Sequence, residues 1–210
     1  GVFILSQVSN SIFRIEHVFG HHRNVATPKD PVSAPLNQNV YSFIPRAIFG
    51  SFKSGIKFEN KRVKNKNLSL WHNRILHYLL IQITWLVSVG ILFGPKGVIL
   101  YLSQSLMAII LLELVDYIEH YGIRRKELSP GKYEAVGPEH SWDTNFFLTN
   151  TSLFNLGKHS HHHQKAALPY QELSSTKEAR QYKIGYSTAI IISLVPPLWF
   201  RLINPELTKQ

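Results

Sequence analysis

The chain has 210 residues, 44% of them apolar, with eleven histidines, one methionine and no cysteine. That length suits one domain, and without cysteine there is no disulfide framework, thiolate zinc finger, iron–sulfur cluster or thiolate-ligated haem. Lys and Arg outnumber Asp and Glu by 23 to 13, a formal charge of +10 that suits nucleic acid or the anionic face of a membrane equally well.

The sequence opens on Gly1 and the apolar run Val2 to Leu5 with no signal-peptide pattern, and it reads as a piece of a longer protein. The first chemically pointed stretch is Glu16-His17-Val18-Phe19-Gly20-His21-His22. On a regular helix His17 and His21 share one face and His22 lies about 100° further round, so the segment can build one side of a metal site. Ala26 to Pro45, with four prolines, reads as ordered loop, and Lys61 to Lys66 as a basic strip beside a membrane.

Ile75 to Phe93 is nineteen residues without Asp, Glu, Lys or Arg, just enough to span a hydrocarbon core of about 30 Å. After Gly94 to Gly97, Val98 to Ile118 supplies a second such stretch, so transmembrane helices at about 75–93 and 98–118 form a hairpin. A buried hairpin in a soluble protein is the alternative, and the charges oppose it. Ten Lys and Arg lie from Arg23 to Arg74, Arg124, Arg125 and Lys126 follow the second helix, and the turn holds only Lys96. By the positive-inside rule both outer ends face the cytoplasm. The basic excess is thus a topology signal; membrane lipids are the expected surroundings and nucleic acid is not an expected partner.

His120 ends the second helix, with Asp116 at i−4 and Glu113 at i−7 on its face. Carboxylates near a membrane boundary are costly unless paired, and a metal-bound imidazole needs an acceptor for its other nitrogen, so Asp116 and Glu113 suit the support of His120. Leu128 to Pro138 reads as a turn-rich loop, and His140 beyond it as a support of the site or a simple loop residue. In His159-Ser160-His161-His162-His163, His159 shares a helix face with His162 and His163, while His161 points off it as a hydrogen-bonding neighbour. His72 and His77 flank the first apolar helix and need no ligand role. Ile184 to Val195 is too short to span a bilayer, stops at Pro196-Pro197, and reads as an interfacial or buried helix. Imidazole ligation alone suits Fe, Zn, Cu or Ni.

The stretches Glu16-His17-x-x-Gly20-His21-His22, Tyr117-Ile118-Glu119-His120-Tyr121-Gly122 and Leu156-x-x-His159-Ser160-x-His162-His163, with Tyr170-Gln171 beyond, resemble the signature boxes of the membrane-bound alkane 1-monooxygenases, or alkane hydroxylases. The likeness runs on through His21 to Asp30, Gly185-Tyr186 and Pro196-Pro197-Leu198-Trp199. The histidine clusters are shared with fatty-acid desaturases and sterol-type hydroxylases; Glu119-His120-Tyr121-Gly122 is characteristic of the alkane hydroxylase and xylene monooxygenase branch. Two departures stand out. Gly157, Lys158, His161 and Gln164 replace the family's Q, R, D and A in the third box, and the H-E-L-x-H-K box that follows the family's first helices is not among these residues.

The resemblance implies an all-α integral membrane protein of histidine-box fold, of which residues 1–210 form the C-terminal part of one catalytic domain. A transmembrane hairpin would carry a cytoplasmic histidine-rich cap, residues 14–74 and 119–210, at the bacterial inner membrane. It implies a non-haem diiron centre held by His17, His21, His22, His120, His159, His162 and His163 together with histidines upstream. With O2 and electrons from rubredoxin, itself reduced by a reductase using NAD(P)H, such a centre hydroxylates the terminal methyl of medium- or long-chain n-alkanes. The stretch alone is expected to be inactive. The rivals are a desaturase or xylene-type hydroxylase, separable by product analysis, and a non-enzymatic membrane metal-binding protein. The last needs a polar path through the hairpin, where the sequence offers chiefly Gln82, Gln104 and Glu113.

Overall fold

The computed structural model describes residues 1–208. Its elements in chain order are α1 (Val2–Gln7), α2 (Phe13–Glu16), a π-helical turn (His17–His21), α3 (His22–Asn24), α4 (Val40–Asn65), a 3-10 turn (Leu70–His72) and α5 (Arg74–His120). There follow β1 (Glu127–Ser129), β2 (Lys132–Tyr133), a 3-10 turn (Pro138–His140), β3 (Trp142–Asp143), α6 (Phe147–Ser152), α7 (His159–Gln164), a 3-10 turn (Tyr170–Glu172), β4 (Arg180–Gln181), α8 (Tyr186–Ser193) and α9 (Pro196–Leu207). The protein is thus mostly helical, and it gathers into two compact units: residues 1–23 with 47–113, and residues 24–46 with the chain from Leu114 onwards.

In the first unit the decisive residue is Gly94, at φ 64° and ψ −164°, inside the otherwise continuous α5. Only glycine adopts that backbone at low cost, and Pro95 after it begins the next helical run with its φ already set. The break reverses the chain. Trp85 Nε1 donates to Ser6 Oγ at 3.2 Å and Tyr101 Oη donates to Ser6 O at 3.1 Å, whereas sixteen residues of straight helix would part them by about 24 Å. The two arms of α5 therefore lie near one another, with α1 laid against both. α5 is long and apolar enough to cross a membrane, and only 22% of its most apolar stretch is buried. Ile91, Leu92, Ile99 and Leu100 are all largely exposed, an uncovered apolar surface far beyond scattered single residues.

The second unit is built on aromatic packing. Tyr117, Tyr121, Trp142, Tyr186 and Trp199 are buried completely or nearly so, and the Trp142 and Tyr182 rings stack at 4.6 Å. Four polar tips find a backbone carbonyl: Tyr117 Oη donates to Gln38 O at 2.7 Å, Trp142 Nε1 to Tyr121 O at 3.0 Å, Tyr182 Oη to Ile118 O at 2.6 Å and Tyr186 Oη to Trp142 O at 2.6 Å. Rings that bury large apolar area while satisfying their hydroxyls fix the last turn of α5 in place.

Three local expectations are corrected. The loop from Ala26 ends at Asn39, whose Oδ1 accepts from Ser42 N–H at 2.9 Å; that cap starts α4, which absorbs Pro45 in its second turn. The 128–138 loop contains an antiparallel pairing, Glu127 with Tyr133 and Ser129 with Lys132. Pro196-Pro197 ends one helix but also opens another, α9, because proline is tolerated where a helix's first N–H groups have no internal partner.

Candidate metal centre

The first unit presents His17, His21 and His22 from a turn that is π-helical rather than α-helical. His22 N–H donates to His17 O, five residues back, so the turn holds one residue more than an α-turn. This corrects the expectation for His22. The widened turn swings it beside His17, with Nε2 atoms 3.1 Å apart and ring centroids at 4.6 Å, while the His17 and His21 rings stack at 5.1 Å. Gly20 makes the turn possible. A Cβ there would stand 2.5 Å from Glu16 Oε1, 3.0 Å from Ser54 Oγ and 3.1 Å from Phe58, so any larger residue would force these neighbours or the turn to shift. His21 is fully buried.

The same unit holds an apolar cavity of about 130 Å³ lined by Ile12, Phe13, Ile48, Phe52, Leu79 and Ile109, with Gln82 and Glu113 among its polar wall atoms. Phe13 joins the two features, since its ring stacks on His17 at 4.7 Å.

In the second unit His120, at the end of α5, meets α7. His159 Nε2 lies 3.1 Å from His120 Nε2, 2.9 Å from His163 Nε2 and 3.2 Å from Glu119 Oε2. His162 sits half-buried on the same short helix, its ring 5.7 Å from those of His159 and His163. One imidazole nitrogen carries at most one proton and cannot satisfy three neighbours. A shared cation would satisfy them together, so this donor set fits a transition-metal centre. His120, His159 and His163 are all buried, so bulk solvent is held away from the group they form.

Two acidic residues that the sequence reading passed over position α7. Glu119 faces His159, and Asp143 on β3 accepts from Ser160 N–H at 2.7 Å and from Ser160 Oγ at 2.8 Å. Lys158 provides no side-chain cap of its own, so Asp143 caps α7 from a distant strand. Burial pushes the Asp143 carboxyl up to about 6 even though the Ser160 donors pull it down. Glu119 had a visible signal, its place beside His120; Asp143 had none, seventeen residues before Ser160 with no periodic relation to it.

Of the supporting residues expected from sequence, Asp116 lies with Glu119 and His120 in one group whose possible ligand atoms are within 4.8 Å of one another. Glu113 lies in the wall of the apolar cavity. His140 is tied into its own loop, Nδ1 accepting from Gly137 N–H at 2.8 Å and Nε2 lying 3.1 Å from Glu134 Oε1. His161 Nδ1 accepts from Ser174 N–H at 3.0 Å. His72 Nδ1 lies 2.9 Å from Ser69 Oγ at the surface.

Comparison with known proteins fixes the relationship. The fatty acid desaturase family model matches residues 1–191. The chain belongs to that family. Within this desaturase family it is 41% identical to alkane 1-monooxygenase 2 of Alcanivorax borkumensis over 209 residues, 98% of the chain and 54% of the relative. To the alkane 1-monooxygenase of Acinetobacter baylyi it is 40% identical, over 94% of the chain and 49% of the relative. To the hydroxylase component of a xylene/toluene monooxygenase of Pseudomonas putida it is 29% identical, over 92% of the chain and 52% of the relative. The chain spans about half the length of the curated relatives it matches.

Proposed function

We propose that the chain carries the metal-binding part of an alkane 1-monooxygenase: a non-haem diiron enzyme that hydroxylates the terminal methyl of n-alkanes with O2, drawing electrons from rubredoxin. The observation that carries this reading is the meeting of His120, His159 and His163 through their Nε2 atoms, in a chain whose 40%-identical relatives are named for that reaction. His17, His21, His22, His120, His159, His162 and His163 are the proposed ligands. The metal supplies the redox chemistry that an unactivated C–H bond, with neither acid, base nor leaving group, requires.

The remaining steps belong to the protein. Asp143 and Glu119 hold α7 and His159 in position, Asp116 supports His120, and the aromatic core beneath them resists reorientation. Phe13, Phe52 and the isoleucines of the cavity bind an alkyl chain by excluding water, leaving only its end near His17. In this reading α5 crosses the cytoplasmic membrane twice and the histidine turns face the cytoplasm. These 210 residues hold no cysteine, and in this reading rubredoxin supplies the electrons. The test is His120→Ala in the membrane-bound enzyme, supplied with rubredoxin, reductase, NADH and octane. Iron content and 1-octanol should both fall at least tenfold while membrane insertion is kept. Undiminished iron and turnover would sink the assignment, and an alkene or a ring-methyl product preference would replace it with a desaturase or xylene-type reading.

A further inference from the structure

Outside the histidine turns, the first unit has an open groove of about 350 Å³ with cationic and apolar walls: Arg23, Lys61, Arg62 and Arg74 against Val18, Phe19 and Phe58. Two of its cations are held in place from behind. Glu59, with no solvent exposure, takes Arg62 Nε and Nη2 at 2.9 and 2.6 Å and Arg74 Nε and Nη2 at 2.9 and 2.6 Å. Each guanidinium is gripped along one edge, so Nη1 of both stays outside the ion pair. The Arg74 guanidinium also lies over the Phe19 ring at 5.2 Å. One carboxylate thus pre-orients two cations, and Lys61 and Arg23 stand in the same wall.

Its depth is set by the neighbouring segment. Arg62 Nη2 donates to His72 O, joining the end of α4 to the 3-10 turn that carries Leu70 and Trp71, 74% and 76% exposed. Arg74 is the first residue of α5, the helix long enough to cross a membrane. An exposed tryptophan and a pair of arginines at the start of an apolar helix belong at the headgroup level of a bilayer. We infer that this groove binds the phosphate of an anionic phospholipid, with the glycerol and upper acyl carbons against Phe19 and Phe58. An acidic protein surface would meet the cations, but it would leave the concave apolar wall unfilled at a depth where lipid is the solvent.

The inference rests on the proposed membrane crossing of α5, and the experiment separates the two. Delipidated full chain in detergent is titrated with phosphatidylglycerol and phosphatidylcholine and read by native mass spectrometry. Phosphatidylglycerol should bind at least tenfold more tightly. R23Q/K61Q should weaken it about thirtyfold, the effect of two cations near a membrane surface, while K53Q/K57Q, an equal charge loss on α4 outside the groove, should change it less than twofold. Equal affinity for wild type and R23Q/K61Q overturns the site. So do an equal loss in K53Q/K57Q, displacement by millimolar inorganic phosphate, or an effect of R23Q/K61Q confined to an added acidic rubredoxin. Release of the chain from membranes by alkaline carbonate would overturn the membrane crossing itself, whereas retention with unaltered lipid binding would overturn the groove alone.

Discussion

Glu59 shows how one buried carboxylate holds distant chain segments. Burial alone would raise its pKa, but hydrogen bonds from the Arg62 and Arg74 side chains and from Arg74 N–H overcome that and bring it from 4.5 to about 2. Because the folded value lies below the unfolded one, the contribution is complete above about pH 4.5 and is lost as pH falls toward 2. Glu59→Gln should therefore cost about 3 kcal/mol at neutral pH and flatten stability between pH 4.5 and 2, measured by thermal unfolding in detergent. A variant as stable as the parent at pH 7 would show that the ion pair contributes nothing net. Gly20 makes a different kind of point. Gly20→Ala puts a methyl group against Glu16, Ser54 and Phe58 at once, so we expect a loss of about 1–3 kcal/mol together with weakened iron binding, since the π-turn that pairs His17 with His22 must shift. Unchanged iron content and melting temperature would reveal slack between the turn and α4.

At the scale of elements, the irregular turns carry the chemistry. A regular α-helix from Phe13 to Asn24 would leave His22 to one side; the π-turn brings it to His17. The six-residue α7 is too short to be stable by itself, and Asp143 secures its first turn from a two-residue strand pair, β3 with β4. Gly94 controls the hairpin in the same way. No atom lies within 4 Å of a Cβ added there, so Gly94→Ala tests backbone conformation without a clash. It should destabilise the hairpin by about 1–3 kcal/mol; an unchanged melting temperature would mean that the reversal is set by packing of α1 rather than by the glycine.

For the whole molecule the testable consequence is topology. In the proposed reading the turn around Lys96 reaches the far side of the membrane, while Lys64 stays cytoplasmic. These 210 residues contribute no cysteine of their own to the labelling. Lys96→Cys should react with an impermeant thiol reagent in intact cells and Lys64→Cys only after lysis. The opposite pattern would invert the orientation and with it the assignment of the basic groove to the inner leaflet.

Composition and spacing by themselves determined the two apolar arms, the reversal between them and the identity of the histidine clusters, because hydropathy over twenty residues and the nearness of i, i+3 and i+4 positions are local properties of a chain. The cluster from His17 to His22 was legible as histidines but not as geometry: one extra residue in a turn rotates everything after it, and a π-turn leaves no sequence periodicity to read. Asp143 capping α7, Glu59 clamping Arg62 and Arg74, and Phe13 joining the apolar cavity to His17 were decided only by tertiary structure. Each joins elements whose separation in sequence is unrelated to their distance in space, and a buried carboxylate looks the same in a sequence as a solvated one.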